Sequence, residues 1–169
     1  PLRGGKGWVY EGGIREAFIV RTPTIDNQPK QCDAPVASVD FFPTLLDLAG
    51  LPARSDLTID GQSMKPLLSG EESLARDALF WHYPHYSNQG GFPGGAVRMG
   101  KWKLVERYED GRVHLYDLDA DIGEQNDLAE QFPDRVAKMR SRLHEWYQDV
   151  DATFLQPNDS GAKPWQPGT

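Results

Sequence analysis

The stretch AVRMGKWKLVERYEDGRVHLYDL, residues 96–118, decides the fold of the C-terminal half of this chain. Apolar and polar side chains alternate along 96–99, 101–107 and 112–118, which is the period of a half-buried β-strand. The intervening segment 108–111 ends in Asp-Gly, a strong hairpin signal. The stretch therefore predicts three consecutive antiparallel strands, with Arg98 and Lys103 as solvated strand residues.

Segments on both sides extend this sheet. Leu79–Tyr83 is apolar and aromatic and predicts a fourth strand. Between Pro133 and Val150, apolar residues recur at helical spacing, so a closing helix is expected to cover one face of the sheet. The segment 76–150 is thus predicted to be a small α+β subdomain, followed by a tail, 151–169, that is expected to be poorly ordered because it is rich in glycine, proline and polar residues.

The first part of the chain, residues 1–75, has a different pattern, which predicts one strand and one longer helix. Ile14–Val20 is predicted to be a strand. Ser38 begins a helix that Gly50 and Pro52 end, and its apolar residues are expected to lie in a core. The polar pair at Asp26 lies between Thr-Pro and Gln-Pro, which is usual turn chemistry. The acidic stretch 117–127 lacks the residue order of a calcium loop, so no metal site is predicted in this chain.

Pro1–Glu16, PLRGGKGWVYEGGIRE, has the composition of an anion site, because five glycines surround the single lysine, Lys6. Glycines allow close approach of the backbone to a ligand, and an ammonium group suits an oxyanion. Glu11 and Arg15 supply charges that can pair and brace the loop. The alternative is a glycine-rich surface loop with a solvated lysine.

Ala78–Tyr86, ALFWHYPHY, combines aromatic rings with His82 and His85. Pro84 between the histidines excludes a helical metal pair. One interpretation is an aromatic patch that covers the sheet edge. The other is a carbohydrate platform, in which rings contact the sugar and the histidines bind hydroxyl or sulfate groups.

Composition narrows the classes of partner. The chain has 169 residues and a net charge of −7, which argues against a nucleic-acid or membrane-surface partner. No run of apolar residues is long enough to span a bilayer. The one cysteine, Cys32, cannot form a disulfide within the chain.

The chain resembles the type I sulfatases, the arylsulfatase and N-acetylgalactosamine-6-sulfatase family of the alkaline phosphatase superfamily. Residues 5–16 are similar to the family run G-K-x-x-x-x-E-G-G-x-R-E-P, with Ala17 in place of proline. Further family phrases follow in order: D-x-x-P-T-L-L-D-L-A-G at 40–50, D-G-x-S-x-x-P-L-L-x-G at 60–70, and Y-D-L-x-x-D-P-x-E-x-x-N-L from 116, with Ile122 for proline. The resemblance covers nearly all of residues 1–150.

The resemblance implies the C-terminal portion of a sulfate-ester hydrolase. Residues 1–75 would end an alkaline-phosphatase-like α/β catalytic domain. Lys6 would be the catalytic lysine that contacts the sulfate, and His82 and His85 would bind substrate. The calcium ion and the formylglycine nucleophile would lie on a preceding N-terminal segment, since no C-x-P-S-R run occurs here. The 169-residue chain alone is therefore expected to be inactive.

Two rival functions remain open. A phosphatase or phosphonate monoester hydrolase of the same superfamily would hold a similar tetrahedral anion. A noncatalytic carbohydrate-binding module built on the histidine-rich segment is the other. The family also implies a sulfated carbohydrate or aryl sulfate as substrate, and a periplasmic or secreted location.

Overall fold

A four-stranded antiparallel sheet forms the centre of the C-terminal part of the computed structural model, which describes residues 1–23 and 30–156. The strands are β1 (Leu79–Tyr83), β2 (Gly94–Met99), β3 (Trp102–Arg107) and β4 (Val113–Asp117), and they lie side by side in chain order. In the register, Val97 lies opposite Leu104, and Leu104 lies opposite Leu115. The predicted strands and hairpin are thereby confirmed.

Helix α4 (Pro133–Asp149) covers one face of the sheet, as predicted. Its buried residues Met139, Leu143 and Tyr147 pack with a layer of strand residues: Val97, Leu104 and Leu115. Proline at the start of the helix suits the first turn, where a backbone N–H has no intrahelical acceptor. This arrangement confirms the predicted sheet and C-terminal helix.

The N-terminal segment covers the other face of the sheet. Val9 and Tyr10 are buried there and pack with residues that alternate with the first layer: Ala96, Val105, Tyr116 and Leu118. Because successive strand residues point to opposite faces, Lys103 and Val105 of β3 face this segment, whereas Leu104 and Glu106 face α4. The sheet is therefore covered on both faces.

The described residues form two compact units. Residues 1–17 group with those from 77 onward, and Phe18–Arg76 forms the second unit. The domain boundary predicted between residues 75 and 76 remains a prediction. Two predicted features lie outside the described residues: the turn at Asp26 and the tail after residue 156. Residues 151–156 are described, and Phe154 contacts the rings of His82, Tyr108 and Tyr147.

The unit 18–76 is built around buried polar groups. A 3-10 helix (Ser38–Asp40) leads into α2 (Phe41–Leu48), and α3 (Lys65–Leu68) follows. The buried Asp40 carboxylate accepts hydrogen bonds from the backbone N–H groups of Ala37 (2.8 Å) and Gln62 (2.9 Å) and pairs with Arg76. These contacts tie the start of α2 to the segment that precedes α3.

Two predictions for the first part of the chain are wrong. Ile14–Val20 forms no strand: α1 (Glu11–Ile14) occupies its beginning, and its later residues have no strand partner among the described residues. Three apolar residues of the α2 region, Val39, Phe42 and Leu45, are exposed, whereas Asp40 and Thr44 are buried. The helical periodicity correctly identified the apolar side of the helix, but within this chain that side is exposed to solvent and not packed in a core.

No helix among the described residues is both long and apolar enough to cross a bilayer.

Candidate functional site

The N-terminal segment forms a closed loop on the sheet. The backbone N–H of Gly12 donates to the carbonyl of Arg3 at 2.8 Å, and the N–H of Trp8 donates to the carbonyl of Gly5 at 3.1 Å. Val9 and Tyr10 anchor the loop in the core. Lys6 lies between these fixed points.

Lys6 itself is exposed. Within residues 1–23 and 30–156, its ammonium group has neither a hydrogen bond nor an ion pair. A compact cation on a fixed backbone can therefore meet an incoming anion without first breaking a protein contact. Its catalytic role remains a prediction.

Lys103 is fully buried beneath this loop, so its predicted solvation is wrong. Its Nζ donates to Glu11 Oε1 at 2.9 Å. It also forms an ion pair with Glu124 Oε1 at 2.8 Å, without the geometry of a hydrogen bond. One buried cation thus faces two buried carboxylates, because the N-terminal segment excludes water from this face of the sheet.

Glu124 contacts the loop a second way. Its Oε2 accepts a hydrogen bond from the backbone N–H of Glu11 at 2.6 Å, and its carbonyl accepts one from Arg3 Nη1 at 2.7 Å. The residue has φ 51°, a left-handed conformation that is rare for glutamate. Burial raises the pKa of Glu124, and the nearby Lys103 ammonium only partly opposes this effect.

The two residues predicted to support the loop lie in contact. Arg15 Nη1 is 3.5 Å from Glu11 Oε2, one helical turn apart. Arg15 is about half exposed and Glu11 is buried, so water screens the pair on one side. The stronger partner of Glu11 is Lys103. The supporting role of the Glu11–Arg15 pair remains a prediction.

A second glycine-rich loop touches the first beside Lys6. A Cβ on Gly7 would lie 2.8 Å from Ser87 Oγ, and a Cβ on Gly91 would lie 2.2 Å from the carbonyl of Gly7. Both glycines have positive φ, 93° and 89°. Only glycine permits this approach at either position. The polar segment 87–91 is therefore held next to the residue that follows Lys6.

His82, on β1, has protein partners on both ring nitrogens. Nε2 lies 2.9 Å from the carbonyl of Thr153, and Nδ1 lies 2.6 Å from Tyr108 Oη. A carbonyl only accepts, so Nε2 carries a proton. Tyr108 Oη in turn lies 2.8 Å from Tyr147 Oη. Substrate binding by His82 remains a prediction, and it would require replacing one of these contacts.

His85 follows β1 and is exposed. Its ring packs edge-on against Tyr83 at 5.5 Å between centroids. Its ring nitrogens have no hydrogen-bond partner in the part of the chain that the structure describes. Of the two histidines predicted to bind substrate, His85 is the one with free donor and acceptor atoms.

The described part of the chain contains no side-chain cluster that could bind a metal ion. Among the described residues, no group of three or more His, Cys, Asp and Glu side chains is placed to hold a metal ion. Calcium requires six to eight oxygen ligands. We therefore assign no calcium ligand to residues 1–23 or 30–156.

Sequence reasoning missed the residues that hold the loop in place, namely Arg3, Lys103 and Glu124. Each belongs to a segment that has another interpretation: a terminus, a solvated strand and an acidic turn. The one available signal is Lys103 itself, a charge inside the run Trp102–Val105 that is otherwise apolar.

A family model and a curated relative identify the family of this chain. Residues 5–152 match the model for N-sulphoglucosamine sulphohydrolase, C-terminal. A sulfatase of Formosa agariphila is 36% identical over 162 residues, which cover 86% of this chain and 29% of that protein.

Two solved structures share the fold. A protein of a Bacteroides thetaiotaomicron locus for glycosaminoglycan metabolism is 27% identical, with a TM-score of 0.68 over 87% of this chain and 32% of its own. A protein solved with its substrate D-glucosamine-2-N,6-O-disulfate is 30% identical, with a TM-score of 0.56 over 66% of this chain and 24% of its own. The chain spans about a third or less of the length of each of these proteins.

Proposed function

The chain belongs to the sulfatase family of sulfuric ester hydrolases, whose C-terminal portion it matches, and on this premise we propose that it is part of an enzyme that hydrolyses sulfate esters on sulfated carbohydrates. The carbohydrate class rests on the substrate of one structural relative, D-glucosamine-2-N,6-O-disulfate. Aryl sulfates are expected to serve as artificial substrates.

The free ammonium of Lys6 supports this proposal most directly. It is exposed, while Val9, Tyr10 and Glu11 nearby are buried, so the cation stands on a rigid base. We assign Lys6 the role of stabilising negative charge that develops on the sulfate oxygens and on the leaving oxygen. A preorganised charge of this kind costs no reorganisation during the reaction and is often the largest catalytic contribution.

The remainder of the active site is proposed to lie on a preceding N-terminal segment. Formylglycine would supply the nucleophile there, and calcium would bind the sulfate oxygens. No step of that chemistry is assigned to residues of this chain. Here the chain contributes one cation and the scaffold that holds it.

The exposed apolar side chains of the unit 18–76 support the proposal that this unit packs against a large partner. Solvent-exposed apolar area beyond scattered single residues marks an interface. Ile19, for example, is 93% exposed. We propose that the preceding part of the catalytic domain packs on these side chains: Phe18, Ile19, Val20, Val39, Phe41, Phe42, Leu45, Leu51 and Leu57.

Substrate contacts beyond the sulfate are proposed for the histidine-rich segment. His85 would donate to a sugar hydroxyl or sulfate, with the Tyr83 ring beside it. His82 would do so only with loss of its contact to Thr153 or Tyr108. A periplasmic or secreted location is also proposed, on the basis of family membership alone.

Turnover of para-nitrophenyl sulfate tests the proposed function. The full-length protein that contains these residues is expected to release sulfate, and the purified 169-residue chain is expected to release none. Para-nitrophenyl phosphate and a phenylphosphonate monoester, assayed in parallel, test the rival hydrolases. Preference for either of these two esters would contradict the proposal, and turnover by the chain alone would contradict its expected inactivity. Sugar binding without turnover by the full-length protein would favour the noncatalytic module.

A further inference from the structure

Both ends of the loop that carries Lys6 are attached to a single residue, Glu124. At one end, Arg3 Nη1 donates to the Glu124 carbonyl at 2.7 Å. At the other end, the backbone N–H of Glu11 donates to Glu124 Oε2 at 2.6 Å. The two bonds span 121 and 113 residues of sequence. Glu124 therefore connects the two ends of the loop to each other.

Lys103 fixes Glu124 and Glu11 in this position. It is fully buried and lies within 2.9 Å of a carboxylate oxygen of each. Burial of a charge is costly unless it is paired, and replacing all members of a buried ionic cluster together by apolar residues often gives equal or greater stability. A buried cation between two carboxylates is thus poorly explained as a source of stability alone. It is well explained as a means of setting one arrangement of three chain segments.

The conformation of Glu124 points the same way. Its left-handed backbone, φ 51°, persists in non-glycine residues where the surroundings determine it. Here the Arg3 side chain, itself 4.0 Å above the Tyr10 ring, and the Glu11 amide determine it. Lys6 is exposed on the loop so held, and neither Glu124 nor Lys103 is accessible to a ligand.

We propose that Lys103 and Glu124 are positioning residues that fix the backbone of residues 3–12 and thereby set the place of the Lys6 ammonium. They act on the reaction only through that loop. The part of the proposal that concerns catalysis rests on the proposed sulfatase function, whereas the part that concerns the loop does not.

Amide hydrogen exchange on the 169-residue chain tests the loop. In Glu124→Ala the amides of the 3–13 segment are expected to exchange about 10- to 100-fold faster, which corresponds to loss of a hydrogen bond to a charged group. Strand amides of β2 and β3 are expected to keep their protection. Glu124→Gln retains an acceptor for the Glu11 amide but not the charge opposite Lys103, so a smaller increase is expected and folding is retained.

Glu106→Gln is the matched control for Glu124→Gln, because it makes the same change at another buried glutamate. Glu106 is also a buried glutamate, but it faces α4, where Arg140 and His144 donate to it at 2.8 Å. This variant is expected to leave exchange of the 3–13 segment unchanged. Unchanged exchange in Glu124→Ala, or equal acceleration in the loop and in β2 and β3, would overturn the proposal.

A double-mutant cycle in the full-length protein tests the link to catalysis. Glu124→Ala is expected to lower kcat about 10- to 100-fold, as small displacements of a catalytic group do. In the Lys6→Ala background the same change is expected to lower kcat less than about twofold, because it acts through Lys6. Equal losses in both backgrounds would show a general structural effect and overturn the positioning role. If the full-length protein releases no sulfate, the proposed function fails, while the exchange comparison still decides whether Glu124 holds the loop.

Discussion

Lys6→Ala in the full-length protein is expected to lower kcat for sulfate-ester hydrolysis by about 10²- to 10³-fold, the cost of removing one preorganised group that stabilises transition-state charge. The ammonium has no partner within the described residues, so its contacts are free for substrate. Charge on the oxygens grows between the ground state and the transition state. The loss should therefore appear mainly in kcat, with a smaller change in KM.

Stability separates this effect from damage to the fold. Because Lys6 is exposed, Lys6→Ala is expected to change the free energy of unfolding by less than about 0.5 kcal/mol. Lys101→Ala removes another exposed lysine, one that pairs with Asp117 at 2.6 Å, and it is expected to retain activity. A Lys6→Ala protein with near-normal kcat would contradict the role assigned to this residue.

Lys103→Met is expected to lower the free energy of unfolding of the chain by about 3–5 kcal/mol, the cost of removing one member of a buried ionic cluster. Methionine fills a similar volume, so the loss comes from the charges: Glu11 and Glu124 remain buried without their cation. Chemical denaturation of the purified chain measures this difference. Since small domains are stable by only about 5–15 kcal/mol, the effect is large.

The deficit of Lys103→Met is expected to depend on pH. Burial already raises the pKa of Glu124 in the presence of Lys103. A carboxyl with a raised folded-state pKa takes up a proton more readily in the folded than in the unfolded state, where its pKa is about 4.3. Stability is therefore lost as pH rises through the folded-state pKa. The deficit should be greatest near neutral pH and should shrink as pH falls.

Lys101→Met is the matched control, because it makes the same change two residues earlier. Its ion pair with Asp117 is 46% exposed on the lysine side, and such pairs contribute about 0–1 kcal/mol. Equal destabilisation by the two variants, or a deficit of Lys103→Met that is the same at all pH values, would contradict the buried cluster.

The sheet and its helix could be predicted because local patterns determine them. The two-residue alternation over 96–118 and the Asp-Gly turn specify consecutive antiparallel strands, and the stripe through Met139, Leu143 and Tyr147 specifies the face that α4 buries. Each signal lies within the element that it describes. Such elements need no knowledge of distant residues.

The buried cluster could not be predicted because it joins residues that are far apart in sequence. Lys103 and Glu11 are separated by 92 residues of sequence. The alternation of apolar and polar residues, taken alone, places the Lys103 side chain on a solvent-exposed face of the sheet. The prediction of a solvated Lys103 assumed that only α4 covers the sheet. Once the N-terminal segment covers the other face, the polar side chains there need buried partners.

The predictions for the first part of the chain are wrong for a related reason. Ile14–Val20 has strand composition but no neighbouring strand among the described residues, and a strand needs a hydrogen-bonded partner. The α2 region has the apolar side of a core helix, yet Phe42 and Leu45 are exposed. Both patterns suit a larger α/β domain, which is the proposed setting of this segment.

Mass spectrometry of the full-length protein tests the central claim most directly. Peptides that precede this chain are expected to contain one cysteine or serine converted to formylglycine, which would place the Lys6 loop in a sulfate-ester hydrolase. An unmodified serine or threonine as nucleophile would contradict the claim, and Lys6 would then hold a phosphoryl or phosphonyl group.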